Sequence, residues 1–120
     1  MLNLSENDHI GAPGTQALAH ALCSNRTVHT LNLNENMLCG DAGAVALADM
    51  LRANATLTFV TLDQNKIGDV GAVALAEALK VNRTVKRIYL VRSACVCFTG
   101  GCITIALAPE GACSSFCCVY

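Results

Sequence analysis

The sequence predicts an α/β solenoid: a horseshoe-shaped arc in which parallel strands line the concave face and helices cover the convex face. Two observations predict it, a period of 28–29 residues and, within each period, a short apolar alternation followed by a helical pattern. Leu4, Leu33, Leu62 and Leu90 mark the period, at steps of 29, 29 and 28 residues. Because one such unit cannot bury its apolar face alone, the units are expected to stack side by side.

The strands are predicted from an alternation of side chains. Leu31 and Leu33 alternate with polar Thr30, Asn32 and Asn34, which is the pattern of a strand buried on one face only. The same alternation occurs at Leu2/Leu4, Val60/Leu62 and Ile88/Leu90. Since a helical pattern follows each strand, the connections are expected to be right-handed crossovers to parallel neighbours.

A column of asparagines follows the strands. Asn7, Asn36 and Asn65 each come three residues after a marker leucine. A side-chain amide carries two donors and an acceptor, so stacked asparagines are predicted as structural turn residues that satisfy backbone groups of the turn. A plain Asx turn in each repeat is the simpler interpretation.

The helices are predicted from the phrases ALAHAL (17–22), ALADML (46–51) and ALAEAL (74–79), whose leucines are four apart and share a face. Asp41 and Asp69 are predicted N-caps, and Pro13 suits a first helical turn. The column Asn25, Asn54 and Asn82 ends the helices. Because Asn tolerates the left-handed backbone of a C-cap, that conformation is expected there.

The composition narrows the classes of partner. The chain has 120 residues, enough for one small domain with a core, and 53% of them are apolar, with no Trp. Eight Lys+Arg against nine Asp+Glu give a net charge of −1, so neither nucleic acid nor a membrane is expected as a partner. The N-terminus shows neither the basic nor the apolar region of a signal peptide, so a cytoplasmic location is expected.

The phrase LxLxxN followed by IGDxGAxALAxALxxNxTL resembles the ribonuclease-inhibitor-like class of leucine-rich repeats. Residues 67–90, IGDVGAVALAEALKVNRTVKRIYL, are most similar to the repeats of NOD-like receptors, particularly the CARD-containing type 3 branch. The resemblance covers residues 2 to about 92 and implies a non-enzymatic protein-interaction scaffold, part of a cytosolic sensor or regulator in innate immunity.

The chain departs from that family, since it contains no Walker motif and no CARD-like segment. The resemblance therefore implies a detached part of the receptor's sensor arm. Two alternatives remain open: a truncated or alternatively spliced product with no independent activity, and a fragment of a repeat protein like the GTPase-activating protein of Ran, whose repeats are similar.

The repeat pattern covers residues 1–93, as three full repeats and the strand of a fourth, and residues 94–120 form a Cys-rich tail with six of the eight cysteines. These are Cys95, Cys97, Cys102, Cys113, Cys117 and Cys118. A metal site, disulfides and an acylated or membrane-associated segment are the alternative interpretations of this tail. The cysteine spacing fits no zinc module and no His lies within it, disulfides need an oxidising compartment for which no targeting signal exists, and the apolar stretch is too short and glycine-broken for a good membrane span. We expect a non-repeat end that packs against the last repeat, with no metal and no cofactor.

No catalytic residue is predicted. His9, His20 and His29 lie in three different columns, and Cys23 and Cys39 have no His nearby to activate them. Four glycosylation sequons occur, at Asn3, Asn25, Asn54 and Asn82, and three of them coincide with the helix-end column, which structure alone explains.

The predicted binding site is the concave face, formed by strand positions that alternate with the core leucines and by the residue after each strand. Its candidate residues are Asn32, Asn34, Glu35, Phe59, Thr61, Asp63, Gln64, Arg87, Tyr89 and Arg92. Their charges run from acidic to basic along the arc, and aromatic and Arg side chains are typical hot spots of protein interfaces. Another protein is therefore the expected partner, with self-association through open solenoid ends as a further expectation.

Overall fold

The computed structural model describes residues 1–36 and 40–90 in full, and the backbone of residues 95–99 and 102–106. Strands and helices alternate along the first ninety residues, as the period predicts. Their order is β1 (Leu2–Asn3), α1 (Gly11–Ser24), β2 (Thr30–Asn32), α2 (Gly40–Ala53), β3 (Phe59–Thr61), α3 (Asp69–Val81) and β4 (Arg87–Tyr89). Two further strands follow, β5 (Cys95–Thr99) and β6 (Cys102–Ala106).

The first four strands form one parallel sheet in chain order, β1-β2-β3-β4. Leu31 lies beside Leu2, Val60 beside Leu31, and Ile88 beside Val60. Neighbouring strands therefore pair equivalent positions of consecutive repeats. The predicted α/β solenoid of parallel strands and helices is confirmed.

The core lies between this sheet and the three helices. Most of its largest fully buried members come from the predicted leucine columns, namely Leu31, Leu33, Leu47, Leu51, Leu62 and Leu75, and Met50 and Leu57 join them. Small residues keep the helices close, since a Cβ built on Gly71 would lie 2.7 Å from the Cβ of Ala44. Close packing of this kind is sensitive to a single added methyl group.

Two of the three asparagines that follow the helices, Asn25 and Asn82, have extended backbones, with φ and ψ of −70° and 133° and of −69° and 132°. The expectation of a left-handed C-cap was therefore wrong. The side chain explains the difference at Asn82: its Oδ1 accepts from the N–H groups of Thr84 and Val85, and its Nδ2 donates to the carbonyl of Leu51 at 2.7 Å. The amide therefore joins the turn after α3 to the C-terminal end of α2, the helix of the preceding repeat.

The predicted N-caps also differ from the structure. Asp41 lies inside the first turn of α2, and its Oδ1 accepts hydrogen bonds from the backbone N–H groups of Gly68 (2.7 Å) and Gly71 (3.0 Å). Asp41 therefore caps α3, the helix of the next repeat. Asp69 is the first residue of α3, whose N-cap position is Gly68.

The strands β5 and β6 pair antiparallel as a separate hairpin that contacts α3. The sequence predicts no strands here, because this segment lacks the repeat pattern. Cys95, Cys97 and Cys102 belong to the hairpin, whereas Cys113, Cys117 and Cys118 lie outside the described residues, as does Cys39. None of the helices in the described part of the chain is long and apolar enough to cross a membrane.

Candidate protein-binding face

The turns that end the strands are joined from repeat to repeat by the predicted asparagines. Asn36 is buried, and its Nδ2 donates to the carbonyl of Leu4 at 2.9 Å and to that of Leu33 at 3.0 Å. The Nδ2 of Asn65 donates to the carbonyl of Leu33 at 2.7 Å. Asn7 is exposed, and its amide donates within its own turn. Each buried amide therefore links one turn to the turn before it.

A row of left-handed residues lies beside these asparagines. Glu6, Glu35 and Gln64 have φ of 60°, 58° and 59°, and all three are exposed. A left-handed backbone costs a residue with a Cβ about 1–2 kcal/mol, so the surrounding turn must hold it in place. The three side chains therefore leave the same position of consecutive turns, at the end of each strand.

The middle of the concave face carries a polar ladder. The Oδ1 of Asn32 accepts a hydrogen bond from the hydroxyl of Thr61 at 2.7 Å, and the Oδ1 of Asn34 accepts one from the backbone N–H of Asp63 at 2.9 Å. Thr61 lies beside Tyr89 in the sheet and is only 8% exposed. The sequence predicts it as an exposed contact residue of the concave face, and it is buried instead. Its side chain links β2 to β3, and little of it is left for a partner.

The two aromatic candidates lie together. The ring centroids of Phe59 and Tyr89 are 5.4 Å apart with an interplanar angle of 67°, an edge-to-face contact between β3 and β4. Both side chains are half-buried, and the exposed Arg87 lies beside Phe59 in the sheet register. The face therefore has an apolar centre with a cation next to it. The predicted Arg92 lies outside the described residues.

Titratable residues do not assemble into a metal centre in the described ranges: no group of three or more His, Cys, Asp or Glu residues there could hold an ion. The thiol of Cys23 is half-buried and unpaired. The features on this face are a polar ladder, an aromatic pair and, at the strand ends, a row of exposed polar side chains.

The strand–turn–helix unit, its stacking and its asparagine ladders define a repeat protein of the binding-scaffold class. The sequence model of the leucine-rich repeat matches residues 2–19, 24–48 and 53–76, and the chain belongs to the leucine-rich-repeat family. The resemblance to leucine-rich repeats is thereby confirmed.

Among solved structures, the chain is similar to leiomodin-1 actin-binding site 2, with 32% sequence identity and a TM-score of 0.69. The alignment covers 76% of this chain and 53% of that one, so the chain spans about half of the leiomodin structure. Comparison with curated protein sequences gives no significant match. The leucine-rich-repeat fold is typically a non-enzymatic scaffold for protein interaction.

Proposed function

We propose that the chain binds another protein through its concave face, around the Phe59–Tyr89 pair. The observation that carries the proposal is this edge-to-face pair, half-buried in a rigid parallel sheet and adjacent to the exposed Arg87. Binding hot spots are enriched in Tyr and Arg and lie where an apolar centre is surrounded by polar groups. Because the sheet already holds these side chains, binding costs little ordering entropy.

We further propose that the array is the recognition arm of a larger cytoplasmic protein of the NOD-like-receptor type. The support is the likeness of residues 67–90 to the repeats of those receptors, together with the leucine-rich-repeat family match.

Actin is a second candidate partner. The observation that favours it is the 32% identity to a leiomodin-1 structure named for actin binding. Co-sedimentation of the full chain with filamentous actin tests this candidate directly. If the wild-type chain pellets with the filaments and Tyr89→Ala does not, actin is supported as the partner. If the wild-type chain does not pellet, actin filaments are excluded and the concave-face proposal is unaffected.

The concave-face proposal is tested with matched truncations on opposite faces of the full chain. Tyr89→Ala removes half of the aromatic pair, whereas Val73→Ala removes an apolar side chain that is 50% exposed on α3. We expect a partner captured by the wild-type chain to bind Tyr89→Ala about tenfold or more weakly and to bind Val73→Ala normally.

Two controls make the result decisive. Urea unfolding checks that Tyr89→Ala is folded at the assay temperature, and Tyr89→Phe keeps the ring and is expected to keep most of the affinity. If Tyr89→Ala binds as tightly as wild type while Val73→Ala weakens binding, the partner uses the convex face and the proposal is wrong.

A further inference from the structure

The net charge is only −1, but acidic and basic residues are separated between the two rims of the arc. One rim holds the turns that follow the strands, and the other holds the turns that follow the helices. Eight of the nine acidic residues lie in the described ranges, and six of these are on the strand-end rim: Glu6, Asp8, Glu35, Asp41, Asp63 and Asp69. Seven of the eight basic residues are described, and six are at the helix-end rim: Arg26, Arg52, Lys80, Arg83, Lys86 and Arg87.

Helix stability explains part of this separation. Asp41 and Asp69 are in first helical turns, and Arg52 and Lys80 are in last turns, where such charges offset the helix macrodipole. Arg52 and Lys80 also pair with Asp49 and Glu77 on their own helices. The positions of these four charges are therefore explained by helix stability, and they give no evidence about a binding partner.

The remaining charges lie beyond the helix ends, where the macrodipole contributes little. We call Arg26, Arg83, Lys86 and Arg87 the basic rim; all four are exposed, and none has an ion pair among the described residues. We call Glu6, Asp8 and Glu35 the acidic rim, and all three are exposed.

The rims are far enough apart to act separately. The 14 residues of α2 run from one rim to the other, a length of about 21 Å. The screening length at physiological ionic strength is about 8 Å, so a charge at one rim is largely screened from the other. The aromatic pair lies on the concave face between them, because Phe59 and Tyr89 belong to strands that run from the basic to the acidic rim.

From this arrangement we propose, on the basis of the concave-face function above, that the partner presents a polypeptide segment with two signs of charge. Its carboxylates face the basic rim, its apolar residues contact Phe59 and Tyr89, and its cations face the acidic rim. A polyanion such as RNA fits less well, because a strand that crossed the face would meet Glu6 and Glu35. Complementary charge of both signs fixes the orientation of the partner as well as its affinity.

The test uses designed peptides and the full chain. The block peptide has three Glu, then two Leu, then three Lys; the alternating peptide has the same composition with Glu and Lys interleaved. Fluorescence anisotropy measures both at low salt, and polyuridine RNA and phosphatidylserine vesicles serve as polyanion probes. We expect the block peptide to bind about tenfold more tightly than the alternating peptide, and its affinity to fall as salt rises.

A matched pair of triple variants locates the contact. Arg83→Gln/Lys86→Gln/Arg87→Gln removes three charges of the basic rim that have no ion pair among the described residues. The control Arg52→Gln/Lys66→Gln/Lys80→Gln removes three charges that are not part of the basic rim: Arg52 and Lys80, which pair with acidic residues of their own helices, and Lys66, which follows β3. We expect the first to weaken block-peptide binding about tenfold and the second to change it less than about twofold, since exposed charge contacts are local at ordinary salt. Thermal melting checks whether both variants are folded.

Three outcomes would overturn the inference: equal binding of the two peptides, equal weakening by the two triple variants, or tighter binding of RNA or vesicles than of the block peptide. These outcomes are separate from failure of the concave-face function, which Tyr89→Ala tests without any change of charge. A partner whose binding needs Tyr89 but tolerates the basic-rim variant would contradict the inference alone.

Discussion

At the scale of single residues, the asparagine after each helix connects one repeat to the next. Asn54 is 3% exposed; its Nδ2 donates to the carbonyl of Leu22 at 2.7 Å, and its Oδ1 accepts from the N–H of Leu57 at 2.8 Å. The amide is thus used on both sides and is unavailable for glycosylation in the folded chain. Asn25, in the same column, accepts from the N–H groups of Thr27 and Val28.

We therefore expect Asn54→Ala to cost more than Asn25→Ala. The first leaves the buried N–H of Leu57 without its acceptor and removes one of the two donors to the carbonyl of Leu22, which keeps the backbone N–H of Asn25. The expected loss is about 2–4 kcal/mol in the free energy of unfolding, against about 1 kcal/mol for the half-buried Asn25. Urea unfolding of both variants measures the difference. Equal losses of unfolding free energy in the two variants would show that the bond from Asn54 to the carbonyl of Leu22 in α1 contributes nothing.

Gly71 is a residue-scale constraint of another kind. A Cβ at this position would lie 2.7 Å from the Cβ of Ala44 and 2.8 Å from the Oδ1 of Asp41. Gly71→Ala is therefore expected to destabilise the fold by about 1–3 kcal/mol, although Ala is the better helix former by about 1 kcal/mol. Gly14→Ala is the milder comparison, because a Cβ there would lie 2.9 Å from the Cγ2 of the half-buried Ile10 and, apart from its chain neighbours, no other described side chain lies within 4 Å. If Gly71→Ala melted higher than wild type, the close approach of the helices would be wrong.

At the scale of elements, the helices are capped across the repeat boundary. Asp41 belongs to α2 but accepts from the N–H groups that open α3. The sequence suggested the residue type, since Asp at a helix start is a common N-cap. The partner could not be predicted, because it lies 27 and 30 residues away and depends on how far one helix is offset from the next.

Removal of this carboxylate is expected to destabilise α3. We expect Asp41→Ala to lower the free energy of unfolding by about 1–2 kcal/mol, and Asp41→Asn, which keeps an acceptor, by less. Asp69→Ala tests the alternative, since Asp69 is exposed and its side chain does not cap its own helix; we expect a change below about 1 kcal/mol from the helix dipole. Hydrogen exchange at the first turn of α3 would locate the effect. An Asp69→Ala variant that is the less stable of the two would refute the cross-repeat cap.

At the scale of the whole molecule, the hairpin β5–β6 lies against α3, the last helix of the array. A solenoid repeat buries its apolar flank only against a neighbour, so what covers the last repeat affects the stability of the whole array. We expect a chain ending at Ser93 to melt a few degrees below the full chain and to scatter more light at high concentration, with both proteins in reducing buffer. A truncated chain with unchanged melting temperature and scattering would show that the hairpin contributes nothing to the array.

The sequence by itself determined the repeat, the order of strands and helices, the parallel sheet and most of the core, because these depend on local periodicity and every repeat restates the same pattern. It also indicated the concave face and the aromatic residues Phe59 and Tyr89.

Only the tertiary structure decided how the repeats join. The features that depend on these joins involve residues about one repeat or more apart. They are the extended backbone at Asn82, the cap that Asp41 supplies to the next helix, the buried hydroxyl of Thr61 and the opposite charges of the two rims. The physical reason is that the period places equivalent residues in columns, whereas the lateral packing of one repeat on the next determines which atoms of neighbouring columns meet.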